Sequence, residues 1–138
     1  MGVLMNFYAG QADKIVSLIE TGDDLDQGVS ASADFSLHID EDALDEMLAA
    51  ACEHKQRDRI DWHEAVSADE PISDSAFKMS PAFVELFAGL SAQDFVPAAR
   101  PWLGQILTPD FEKAIGELID VCRCAKSEKL DVVFVVSP

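Results

Sequence analysis

The sequence predicts an α+β fold: a small mixed sheet of about three strands, with the C-terminal strand central, packed against four to five helices. Three observations point there. Short apolar or alternating runs stand near both ends of the chain and again at residues 34–39, as strands require. Between them lie longer segments with apolar residues at i, i+3, i+4 and i+7, the spacing that gives a helix one buried stripe. The last run, "LDVVFVVSP" (130–138), is apolar at consecutive positions, which a strand needs when both of its faces are covered. A chain of 138 residues can bury about two-thirds of its unfolded surface without disulfide or metal staples. One globular domain over 1–138 is expected.

The elements follow in order. "VLMNFY" (3–8) is short, apolar and aromatic, a first strand. "QADKIVSLIETGD" sets Ala12, Ile15, Leu18 and Ile19 on one helical face, with Gly22 as a stop. Residues 23–33 mix Asp, Gly and Ser and are expected to form a loop. "DFSLHI" (34–39) alternates, with Phe35, Leu37 and Ile39 inward and Ser36 and His38 outward. Asp40 can cap the next helix, and Glu41 and Asp42 suit its positive end. Leu44, Met47, Leu48 and Ala51 then make its stripe.

Order is expected to lapse from Lys55 to Met79, apart from a short element at "RIDWHEAV". Ser80 and Pro81 open the next helix as N-cap and first residue, with Phe83, Val84, Leu86, Phe87 and Leu90 inward. "SAQD" (91–94) has the capping-box pattern, and Pro97 and Pro101 should kink or end the helix that it starts. Thr108, Pro109 and Asp110 begin the most strongly marked helix. Its apolar face runs through Phe111, Ala114, Ile115, Leu118, Ile119, Cys122 and Ala125.

The opening "MGVLMNFYAGQADKIVSLIETGD" and the closing helix with "KLDVVFVVSP" resemble the two ends of the YfbM-like family of bacterial proteins. In that family Met-Gly leads a short apolar strand into an amphipathic helix. The resemblance implies an α+β fold of bacterial origin. The family carries no settled activity, so it implies no catalytic residue.

Charge narrows the function classes. Twenty-six acids against ten bases leave a net charge of −16. That field repels phosphate backbones and anionic membrane surfaces, so neither nucleic acid nor membrane is expected as a partner. It attracts a basic protein or a divalent cation. No run approaches the roughly 20 apolar residues of a spanning helix. The N-terminus also lacks the basic and apolar regions of a secretory signal, which points to the cytoplasm.

Motifs of known chemistry are missing: no GxSxG elbow, P-loop, GxGxxG, HExxH or EF-hand stands in the sequence. No cofactor is expected. The three cysteines, Cys52, Cys122 and Cys124, include no CxxC pair. On a helix, Cys122 and Cys124 point about 200° apart, so they cannot clasp one metal. Cys122 falls on the apolar stripe as a small core residue.

His38, His54 and His63 remain as ligand or acid/base candidates near neutral pH. His54 at a helix end satisfies the dipole. His38 and His63, with Asp61 and Glu64 beside the latter, form the candidate metal set of a metal-binding protein or metal-dependent hydrolase. The favoured reading is different: a non-enzymatic acidic module that binds a basic protein, as a toxin-neutralising immunity protein does. Its candidate contacts are Asp23, Asp24 and Asp26 in "GDDLD", then Asp40, Glu41 and Asp42, with Trp62 as an aromatic anchor. Trp102, next to prolines in "RPWLG", is read as closing a small hydrophobic lid.

Overall fold

Val132, Val133, Phe134 and Val135 are all buried and follow one another along β4 (Asp131–Ser137). The computed structural model describes residues 4–35, 41–66 and 76–137. In it, β4 lies between β1 (Leu4–Gly10) and β3 (Ala76–Lys78), and β2 (Val29–Asp34) flanks β1 on the other side. The architecture is α+β, and the C-terminal strand is internal, which explains its unbroken apolar run. Among the described residues the sheet has four strands where the sequence suggested about three. It is also not mixed: each of the three strand pairings is antiparallel.

The pleat of β1 and β4 sorts side chains between two cores. Phe7 opposes Phe134 and Ala9 opposes Val132, and all four join the larger core. Val133 and Val135 point to the opposite face, where they meet Ala76 together with Ala12 and Ile15 of α1 (Ala12–Thr21). The larger core is built around aromatic rings. Phe7 lies 4.8 Å from Phe134, 5.4 Å from Phe35 and 5.8 Å from Phe83 between ring centroids, within the range of favourable aromatic pairs.

The first expectation to fail is the second strand. Residues 29–33, placed in a loop by their composition, form β2 together with Asp34, and Phe35 adds one further bond from its N–H to the Met5 carbonyl at 2.8 Å. Small residues, "VSASAD", make up this edge strand, and only Ala33 of them is buried. The rest of the proposed strand, including His38, and the proposed cap Asp40 lie outside the described residues.

Helix α1 is capped from the far end of the chain. Gln11 gives its N-terminus no side-chain bond; instead the Ala12 N–H donates to Asp131 Oδ2 at 3.1 Å. The other carboxylate oxygen is 3.4 Å from Lys78 Nζ. At the C-terminal end Gly22 takes φ 75°, and the Asp23 N–H closes back on the Leu18 carbonyl at 3.0 Å, a Schellman termination that favours glycine.

On the other face of the sheet lie α2 (Glu41–His54), α4 (Pro81–Ala88), α5 (Ala92–Leu103) and α6 (Pro109–Glu128). Leu44, Met47, Leu48 and Ala51 of α2 are buried as their spacing requires. Ser80 Oγ accepts from the Phe83 N–H at 3.2 Å, and Thr108 Oγ1 accepts from the Phe111 N–H at 3.2 Å. Both proline-initiated helices therefore start as expected. The whole proposed stripe of α6 is buried, with Val121 added. Arg123 ties α6 to the end of α4 by donating to the carbonyls of Ala88, at 3.1 Å, and Leu90.

Two more expectations need correction. Within 55–79, α3 (Trp62–Ala65) is the short element expected at "RIDWHEAV", whereas β3, held by its pairing to β4, is order where none was expected. Of the two outcomes expected of Pro97 and Pro101, ending the helix does not occur, since α5 runs through both, and Ser91 makes no side-chain cap bond, so the capping box does not form. Phe95, Ala99 and Leu103 are buried on one side of α5, whereas both prolines are exposed. The carbonyls left without N–H partners by the prolines lie on that wetter side, where water can satisfy them.

Candidate functional site

Half of the proposed metal set falls outside the side chains that the structure describes. His38 lies outside them, and of His63 only the backbone, within α3, is described. Asp61 precedes α3 with extended backbone. Its carboxylate stands 3.5 Å from Arg59 Nε in an exposed ion pair. Glu64 is exposed. No group of three or more His, Cys, Asp or Glu side chains is arranged to hold a metal among the described residues. His54, in the last turn of α2, is half-buried with its ring 5.7 Å from that of Phe95.

The cysteines are free thiols. Burial pushes the Cys122 thiol up far beyond its ordinary value. Cys124 is pushed up to about 11 by its hydrogen bond to Glu128, then by partial burial and by the charge of that carboxylate. Neither is poised as a nucleophile near neutral pH, since the thiolate is the reactive form. No polar or charged side chain is buried among the described residues.

The acidic candidates divide by where they sit on their helices. Asp42 is exposed in the first turn of α2, where a negative charge complements the dipole and contributes about 0.3–1 kcal/mol. Glu41 begins the same helix. Local helix energetics account for carboxylates at this end. Glu20, Asp23 and Asp24 stand at the opposite kind of site. They are exposed at the C-terminal end of α1, whose last turn holds no basic residue. Negative charge there is disfavoured by a similar amount. Asp23 Oδ2 accepts from Thr21 Oγ1 at 2.8 Å, and Asp26 follows in the short 3₁₀ turn Leu25–Gln27. The α1 corner is thus an acidic group held at some cost to its own helix.

The two tryptophans differ in burial. Trp62 is half-buried and packs on the core, edge-on to Phe83 and Phe134 at 6.0 Å from each. Trp102, expected to close a lid, is 47% exposed, and Ile106 nearby in sequence is 37% exposed. The place of Trp102 one residue before Leu103, off the i, i+4 series Phe95, Ala99, Leu103, was the signal that could have shown it leaving the buried stripe of α5.

No helix among the described residues is long and apolar enough to cross a membrane. No family model, curated protein or solved structure matches the chain.

Proposed function

We propose that this protein is a non-enzymatic, cytoplasmic interaction module that takes a basic protein as its partner, in the manner of an immunity protein that neutralises a toxin. The observation that carries this reading is the acidic corner of α1: Glu20, Asp23 and Asp24 gather at the helix end where charge of their sign is least favoured. A surface kept only for solubility has no reason to place them there. The net charge of −16 supplies the long-range attraction that speeds encounter with a cationic surface.

The test is affinity capture from the native host at low salt, followed by binding kinetics with the captured protein. A basic partner is expected, with association slowing steeply as salt screens exposed charges over about 8 Å. The triple variant Asp23→Asn, Asp24→Asn, Asp26→Asn should slow association, and Asp42→Asn should leave it nearly unchanged. Equal effects of the two variants would remove the corner from the interface. Binding of one Zn²⁺ per chain, lost in His38→Ala or His63→Ala, would support the metal reading instead.

A further inference from the structure

Basic residues gather along one groove of this acidic chain. A cavity of about 360 Å³ opens between the first turns of α4, the end of α6 and the strands β3 and β4, and Lys78, Lys126 and Lys129 contribute to its wall. Met79, Val84 and Leu130 give it an apolar floor. A neighbouring hollow of about 280 Å³ shares Glu85 and Lys126 with it and adds Lys55 and Arg57. Half of the ten basic residues of the chain therefore line this one region, against two acids, Glu85 and Asp131.

Local structure accounts for part of that charge. Lys126 lies in the last turn of α6, where a cation suits the dipole, and its Nζ is 3.8 Å from Glu85. Lys78 is committed to Asp131. Lys55, Arg57 and Lys129 make no ion pair among the described residues. In a chain with 26 acids to ten bases, chance pairing would leave acids over, and here cations are left over.

Backbone conformation adds an independent observation. Gln56, at φ 53°, and Lys129, at φ 57°, are the two non-glycine residues with positive φ among those described. Both terminate helices at this groove. The Arg57 N–H returns to the Cys52 carbonyl at 3.1 Å and the Leu130 N–H to the Ala125 carbonyl at 2.8 Å, the closure that Gly22 provides for α1. Glycine takes this conformation freely, whereas a Cβ is strained there. The Lys129 side chain is retained against the preference of its backbone.

We propose that this groove binds a small phosphate monoester. Lys126 and Lys129 hold the dianionic head, with Lys55 and Arg57 adding field from the adjoining hollow, and the organic part rests on Met79, Val84 and Leu130. Ammonium groups bind phosphate as point charges, and the cavity is at the small end of ligand sites, which run from roughly 300 to 1,000 Å³. This site is separate from the acidic corner and stands whether or not that corner binds a protein.

Phenyl phosphate, titrated into the isotope-labelled chain at low salt and followed by amide NMR, tests it against phenol, benzoate and a polyglutamate peptide. Saturable one-site shifts at Val84, Lys126 and Leu130 are expected, and Lys126→Gln should weaken binding by about tenfold or more, the loss of one charge-assisted contact. Lys129→Gly should weaken binding while raising Tm, because glycine relieves the left-handed strain; lost affinity then cannot be mistaken for lost fold. Absence of saturation at millimolar ligand, an equal response to phenol, tighter binding of benzoate, or unchanged affinity in both variants would overturn the proposal. So would a response to polyglutamate with none to phenyl phosphate, which would make the groove a peptide site.

Discussion

The Cys124 thiol donates to Glu128 Oε2 at 2.7 Å, one turn further along α6. A carboxylate that accepts this proton stabilises the thiol over the thiolate, and the value of about 11 follows chiefly from that bond. Glu128→Gln should therefore raise the thiolate fraction and speed the reaction of Cys124 with an aromatic disulfide reagent at pH 8 by about tenfold or more. An unchanged rate would show that the bond does not persist in solution.

Alkaline stability follows from the same chemistry. Cys122 and Cys124 both have native values above the ordinary 9.0. Below pH 9 both native and unfolded chains carry these protons. As pH rises past 9 the unfolded chain releases them first, so stability falls from there toward the native values. Urea midpoints measured from pH 8 to 11 should decline above pH 9, and the decline should be shallower in Cys122→Ala than in the parent.

Leu118 is fully buried in the middle of the α6 stripe. Leu118→Ala should cost about 2–5 kcal/mol in urea unfolding, the sum of lost transfer energy and a residual cavity. A cost below about 1 kcal/mol would mean that α6 does not pack as described.

Gly10 ends β1 where its register with β2 shifts. A Cβ added there would stand 2.8 Å from the Gly28 carbonyl oxygen and 3.2 Å from Ile15 Cδ1. Gly10→Ala must push two backbone segments apart, at an expected cost of about 1–3 kcal/mol in thermal unfolding.

The helices that proved legible are those whose caps and stripes agree. Thr108 with Pro109 and Ser80 with Pro81 announce their helices by chemistry confined to one turn, and the buried residues follow at helical spacing. β4 was legible because four apolar residues in a row leave no exposed face. β2 was displaced because its partners, not its side chains, define it: Ser32 and Ala33 carry little pattern, whereas Phe35, read as part of the strand, follows its last residue. β3 spans only Ala76–Lys78, too short for periodicity, and exists through β4. The acids of the α1 corner were visible as charge, but their conflict with the helix dipole appeared only once the helix end was located. The lysines of the groove lie far apart along the chain, so no local pattern joins them.

The longest strand pairing joins residues 4–10 to residues 131–137. Until the second of these segments has left the ribosome, β1 has no partner on that side, and Asp131 is not available to cap α1. Nearly the whole loop entropy of the chain must be overcome before that contact is made. During synthesis the nascent chain therefore exposes the β4-facing edge of an apolar strand, Phe7 included, until residues 131–137 emerge, and over that interval it is open to mispairing and aggregation.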